Sequence, residues 1–260
     1  MIQSLSKNQL KHLTALTHKK YRQLYQEFLI EGIKLCEEAL NADFQFSGLV
    51  VSSDVSGRAR IREIIKKCEA HQILAYETSP ENLKRLSDTV EASGIIGHIR
   101  SREYSLDKIQ LGSNSLLIAT ENLVDPGNLG TIIRTADWFG AQGILLDKNS
   151  VEWLNPKVIR ASMGSIFHLP IIVEQVLPDL IMKLKSSGFS IIGTGVNGQS
   201  ISKIIEIPDR KLLILGNESH GLSAELQKMV DILITIPGSG TAESLNVAVA
   251  GGILMHYLKA

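Results

Sequence analysis

Three stretches of this 260-residue chain hold residue types at spacings that could do chemistry. The first, ENLVDPGNLGTIIRTADWFG (121–140), sets Asn122 and Asn128 in a turn and Arg134 inside an apolar helical pattern. Asp125-Pro126-Gly127 makes the turn, Asn128 is a suitable N-cap, and Leu129, Ile132, Ile133 and Ala136 recur at helical spacing. That face is taken by the core, so Arg134 points elsewhere, with Thr131 and Trp138 on its own side. It reads as a cation fixed beside a helix N-terminus, suited to a phosphate or a ribose hydroxyl; pairing with Asp137 is the purely structural alternative.

In the second stretch, LLILGNESHGLS (212–223), Gly216 would let a ligand approach the backbone. Glu218 leaves a strand end where an acid can bind a hydroxyl or an amine, or pair with Arg134, or serve as an ordinary turn glutamate; Ser223 caps the next helix. The third, IPGSGTAESLNVAVAGGILMHY (236–257), ends a strand at Ile236, breaks it at Pro237 and predicts a helix over 244–258 with Ser244 as N-cap. Leu245, Ala248, Val249 and Gly252 on one side, with Val247, Ala250 and Gly251 on the other, leave it apolar or small nearly all round. Such a helix must be buried, in a tightly wrapped or an intersubunit position, and Asn246 in its first turn needs a partner.

A fourth pattern, Gly193, Gly195 and Gly198 in GTGVNG, is a literal G-x-G-x-x-G after a strand. A dinucleotide site needs that turn to open a sturdy helix whose N-terminus meets a pyrophosphate. Here the following SISKIIE is short and soon reaches Pro208, which argues against a nicotinamide enzyme and for a glycine-rich turn beside another ligand.

The elements that must position these loops follow from periodicity. Strand candidates at 116–120, 143–147, 167–173, 189–194, 211–215 and 231–236 are near-continuous apolar runs separated by amphipathic stretches. They predict a mainly parallel sheet covered on both faces, with its crevice at the strands' carboxyl ends. Residues 28–100 alternate shorter runs as a small α/β unit, and polar 101–115 reads as a linker, so the domains are expected at 1–105 and 106–260. With 44% hydrophobic and 21% charged residues, the composition is that of an ordinary globular protein. Zero net charge argues against wholesale polyanion binding. Locally, however, Lys7, Lys11, Lys19, Lys20 and Arg22 precede any acid, forming a basic arm or a solvated face. Cys36 and Cys68 stand apart from any ligand cluster, so neither metal nor disulfide is expected. No signal-peptide core or long apolar run appears, so the expected location is cytoplasmic, without a membrane span.

Taken together, Asn128 with Arg134 in NLGTIIRTA, Gly216 with Glu218 in GNESHGLS, and IP followed by SLNVAVA resemble the SpoU (TrmH-like) family of RNA ribose 2′-O-methyltransferases, within the SPOUT superfamily. KYRQLYQEFLIEGIKLCEEAL is similar to the small ribosomal-protein-like substrate-binding domain that precedes the catalytic domain in many members. The resemblance implies a C-terminal parallel sheet with a deep trefoil knot, S-adenosylmethionine as cofactor, and a homodimer with the motif-one arginine near the partner's cofactor. Cofactor contacts are expected around Thr194, Gly216, Ile236 and Leu245. Asn128, Arg134, Glu218, Ser244 and Asn246 are the expected catalytic group. Because a guanidinium stays protonated in proteins, Arg134 is expected to orient and stabilise a developing alkoxide or adjacent phosphate rather than act as base. Lys19, Lys20 and Arg22 are expected to hold RNA, with ribosomal RNA favoured and tRNA open. A non-catalytic RNA-binding assembly factor is the other reading, and the intact set of three motifs argues against it.

Overall fold

The computed structural model describes residues 2–89, 92–204 and 206–259. Contacts divide the chain into two units, one of Met1–Arg102 with Leu154–Phe167, the other of Glu103–Trp153 with His168–Ala260.

The N-terminal unit contains β1 (Gln3–Ser4), α1 (Lys7–Ala15), α2 (Lys19–Tyr25), β2 (Glu27–Glu31), α3 (Ile33–Asn41), β3 (Phe46–Ser52), α4 (Ala59–Ala70), β4 (Ala75–Thr78), α5 (Pro80–Leu86) and β5 (Ile95–Arg100). Its sheet has the order β1-β4-β3-β5-β2. β1 and β3 run parallel to β4, while β5 runs antiparallel to β3 and β2. Period-two alternation sends Phe28 and Ile30 of β2 into the core and leaves Glu27, Leu29 and Glu31 on the opposite face. α1 opens with a capping box between Ser6 and Gln9 and buries Leu13 with Val50, Leu83 and Ile96. Cys36 of α3 and Cys68 of α4 are buried free thiols. Burial pushes both up, Cys68 to about 11, so both pack as small apolar groups rather than reactive thiolates.

The C-terminal half continues with β6 (Ser115–Thr120), α6 (Pro126–Trp138), β7 (Gly143–Asp147), α7 (Pro156–Ser162), β8 (Ile171–Gln175), α8 (Leu177–Ser186), β9 (Ser190–Ser200), β10 (Arg210–Leu215), α9 (Ala224–Met229), β11 (Ile232–Thr235) and α10 (Val247–Lys259). The sheet order is β11-β9-β10-β6-β7-β8 with every ladder parallel. Central β6 and nearly all of β10 are buried along their length, as expected when both faces are covered. β6 is followed in sequence by β7 on one side and flanked by β10 on the other, so the strand order reverses there, the position at which open parallel sheets bind ligands beyond their carboxyl ends.

Several local expectations change. The run at 167–173 splits into a 3₁₀ turn, Ser165–Phe167, and β8, because Pro170 has no N–H to give a ladder. The cap of α6 is Asp125, which accepts from Asn128 N at 2.8 Å, rather than Asn128. Pro126, lacking an N–H, takes the first helical position and moves the start three residues upstream. α10 begins at Val247 rather than at 244, because Asn246 Oδ1 accepts from Ala248 N (2.9 Å) and Val249 N (3.3 Å).

The polar stretch at 101–115 is more than a spacer, since Tyr104, Leu106, Ile109 and Leu111 pack on the core of the parallel sheet. Leu154–Phe167, which contains α7, joins the N-terminal unit, whereas the boundary read from sequence was a single junction. Val158 and Ile159 are buried there, the Phe167 ring meets Phe44 edge-on, and Arg160 pairs with Asp88 at 2.8 Å.

Candidate active site

Glu121 and the turn after it leave the carboxyl end of β6 and are tied on both sides. Toward β7, Asp147 Oδ1 accepts from Asn122 N at 3.0 Å, and Ser150 Oγ accepts from Leu123 N at 3.0 Å. Toward β10, Asn217 Nδ2 donates to Asn122 O at 2.8 Å, and Glu121 Oε2 accepts from Ser223 N at 2.8 Å. Asn122 has φ 51°, a left-handed conformation that asparagine tolerates better than most residues. Asp147 and Ser150 lie outside the three stretches, and Glu121 and Asn217 lie inside them without having been expected at the site.

Glu218 reaches across to the same turn. Its Oε1 accepts from Asp125 N and from Asn128 Nδ2, each at 3.1 Å, and its Oε2 from Val124 N at 3.5 Å. Partial burial works against the charged form. The hydrogen bonds from its own N–H, from Asn128 and from the Asp125 and Val124 backbone outweigh it, holding the carboxyl below its ordinary value of 4.5. Glu218 is therefore a fixed carboxylate acceptor at neutral pH, not a proton donor. Asn246 Nδ2 donates to Asn128 Oδ1 at 2.9 Å. Asn128, Glu218 and Asn246, three of the residues singled out by motif, thus form one hydrogen-bonded run joining the loops after β6 and β10 to the start of α10.

Arg134 and Ser244 stand outside this run. Arg134 lies about 12 Å along the helix axis from Pro126, so it is not the cation at the N-terminus that the sequence reading placed there. It is exposed and makes no ion pair or side-chain hydrogen bond among the described residues; Asp137 pairs instead with His168 at 3.1 Å. Trp138, on the same stripe, is 84% exposed. Ser244 is exposed and its side chain has no hydrogen-bond partner among the described residues.

Of the four expected cofactor residues, Thr194 lies within β9, Gly216 and Ile236 directly follow β10 and β11, and Leu245 lies just before α10. The glycine-rich pattern opens no helix. Leu233 pairs with Gly193 and the next residue, Ile234, with Gln199, so the strand bulges out of the ladder between them. Thr194 Oγ1 donates to Ile214 O at 3.2 Å. A Cβ on Gly198 would come within 2.6 Å of the Ile234 backbone, and one on Gly216 within 2.3 Å of Gly221, so these glycines answer to backbone crowding. Ile236 is half-buried, whereas Val196 in the bulge and Leu245 present exposed apolar side chains.

In the N-terminal unit, Lys19 and Lys20 are exposed, but Arg22 is only 4% exposed. Its Nη1 donates to Leu16 O and Thr17 O, both at 2.9 Å, closing the end of α1. Arg22 is therefore a structural residue, and the basic arm narrows to the lysines around it. No helix among the described residues is long and apolar enough to cross a membrane.

A parallel sheet with three loops bonded together at its carboxyl ends, preceded by a separate α/β unit, defines a two-unit α/β protein. Residues 115–256 match the SpoU rRNA Methylase family and residues 7–97 the MRM3-like substrate binding domain. The chain is 33% identical over 99% of its length to 23S rRNA (guanosine(2553)-2'-O)-methyltransferase RlmP of Bacillus subtilis, covering 98% of that protein. It is 30% identical to 23S rRNA (guanosine-2'-O-)-methyltransferase RlmB of Neisseria meningitidis, over 76% of this chain and 80% of that one. Among solved structures, an AdoMet-bound rRNA methyltransferase from Sinorhizobium meliloti superposes with a TM-score of 0.88 at 30% identity, covering 99% of this chain and 96% of that one. The chain belongs to the SpoU rRNA methylase family and is a methyltransferase.

Proposed function

We propose that this protein transfers a methyl group from S-adenosylmethionine to a ribose 2′-hydroxyl of ribosomal RNA, as a homodimer whose catalytic sheet closes in a trefoil knot. The observation that carries the reading is the Glu218–Asn128–Asn246 run, which binds the three motif loops into one rigid edge. Relatives named as 23S rRNA 2'-O-methyltransferases support ribosomal RNA as the substrate class.

The residues at the sheet edge suit the cofactor. Backbone groups of the bulged segment after Gly193 and of the loops at Gly216 and Ile236 offer donors and acceptors, and exposed Val196 and Leu245 offer apolar surface for a purine. When bound, S-adenosylmethionine supplies an electrophilic methyl that the 2′-oxygen takes as the sulfur–carbon bond breaks. The protein's part is placement and charge. Glu218, Asn128 and Asn246 hold the loops in register. Arg134 steadies the 2′-oxygen or its neighbouring phosphate as the hydroxyl proton passes to solvent. Lys19 and Lys20 of the N-terminal unit engage the RNA backbone.

Arg134 has no contact with the bonded run, which favours its acting beside a second copy's site. Trp138 together with Val249 and Ile253 of α10 (52% and 40% exposed) supplies an apolar patch for that copy to cover. Incubation with methyl-labelled S-adenosylmethionine and separated cellular RNAs tests the whole reading. Label should enter ribosomal RNA at a linkage that then resists alkali; label confined to tRNA, or to a base, would overturn it.

A further inference from the structure

One cluster of ligating side chains lies outside the methyl-transfer site. We propose that His12, Glu27 and His98 of the N-terminal unit form a binding site for a divalent transition metal, with Zn²⁺ as the best match. Glu27 starts β2, His98 lies in β5, and His12 faces them from α1. In the antiparallel β2/β5 ladder Glu27 pairs with Arg100 and Leu29 with His98, so Glu27 and His98 share one sheet face as diagonal neighbours. Glu27 Oε2 lies 2.7 Å from His12 Nε2 and 2.9 Å from His98 Nε2, and all three ligand atoms fall within 4.8 Å of one another.

The two carboxylate oxygens have divided roles. Oε1 is turned to Ser47 Oγ at 3.5 Å and Arg100 Nε at 3.8 Å, which leaves Oε2 to the imidazoles. That is the outer support a ligating carboxylate needs. The His12 ring is further oriented by Tyr25, with ring centroids 4.7 Å apart. Glu27 and His98 side chains are each only 12% exposed, so water competes weakly for them.

Two imidazoles and one carboxylate suit zinc; calcium and magnesium prefer all-oxygen shells. Tetrahedral zinc with bonds near 2.0–2.1 Å needs ligand atoms about 3.3 Å apart, so the observed pairs must open by roughly half an ångström. Side-chain rotation supplies that, because a cavity of about 300 Å³ borders both histidines and is lined also by Asn8, Gln9, Ser47 and Tyr76. The same cavity leaves the fourth position open to water. Metal here would tie α1 to the β2–β5 edge.

The test uses tag-free full-length protein, stripped with chelator and titrated with Zn²⁺ by calorimetry and with Co²⁺ by visible absorption. One ion per chain is expected, with a rise in Tm. His12→Ala and Glu27→Gln should each weaken binding beyond the roughly 10- to 100-fold that loss of an outer partner costs, while S-adenosylmethionine affinity and circular dichroism stay unchanged. Ser47→Ala keeps all three ligands and should weaken binding less. Absence of Zn²⁺ binding, or one-to-one binding unaltered in both His12→Ala and Glu27→Gln, overturns the proposal.

Discussion

Asn246 Nδ2 donates to Asn128 Oδ1 at 2.9 Å, and that contact fixes the orientation of both amides. The Glu218 carboxylate can only accept, so Asn128 must turn its NH₂ toward Glu218 and its oxygen toward Asn246. Asn246 then presents its own oxygen to the first free N–H groups of α10. Every donor in the run points toward Glu218, so a carboxylate charge at one end is linked to the positive end of a helix dipole at the other.

Reversing that polarity should be damaging. Asn128→Asp would set a second carboxylate against Glu218 Oε1, now 3.1 Å from the amide. Methylation should fall sharply, with a stability loss of about 1–3 kcal/mol for the unpaired acceptor. Repulsion adds to this as the new acid ionises. Thermal denaturation at pH 8 and pH 4 checks it: the Tm deficit should be larger at pH 8.

Glu218 makes a separate statement about acid. Its folded-state value lies below the ordinary 4.5, so the folded protein binds its proton less readily than the unfolded chain. Its contribution to stability is therefore fully present above about 4.5 and fades as pH falls through the lower folded value. Glu218→Gln should be less stable than the parent at pH 7, and the gap should narrow below pH 4.5 in urea unfolding. A gap that widens toward acid would contradict the hydrogen-bond account.

Arg134→Ala should abolish methylation while S-adenosylmethionine affinity stays within about twofold, since uniform binding is untouched when a group acts on the transition state. Mixing Arg134→Ala chains with chains disabled by Asn128→Asp should restore one working site per mixed dimer if the arginine serves the partner. Proven mixed dimers with no activity would place it in its own chain's site.

Trp138→Asp on the exposed stripe of α6 should shift the protein toward monomer in sedimentation and take methylation with it. Unchanged sedimentation would leave that patch without the proposed role.

Lys19 and Lys20 should behave differently from Arg22. Replacing both lysines by Ala should reduce the salt dependence of RNA binding by up to about two counterions' worth of slope, with Tm unchanged. Arg22→Ala removes donors to two carbonyls at the end of α1 and should lower stability by about 1–3 kcal/mol instead.

Much of this was legible in the sequence because near-continuous apolar runs report a doubly covered sheet directly, as β6, β7 and β10 do. Asn128 and Asn246 stood out because each is polar where its neighbours are apolar or glycine, and Glu218 because it is an acid just past the end of an apolar strand. What they bond to was not legible, since their partners lie 90 and 118 positions away. The caps of α6 and α10 shifted because two candidate cap residues compete within three positions, and side-chain reach decides between them. Arg22 looked like its lysine neighbours because charge counting does not register a buried guanidinium. His12, Glu27 and His98 escaped notice because only strand pairing and the seat of α1 bring them together.

The excursion of Leu154–Phe167 into the N-terminal unit has a bearing on how such proteins are recombined. A fragment ending at 102 would lack the piece that covers Phe44 and pairs with Asp88. One starting at 103 would carry Val158, Ile159 and Phe167 with no partner surface. Exchanging front halves between relatives at a single splice point therefore mismatches a plug and its socket, and a working chimera must transplant residues 154–167 together with the front half.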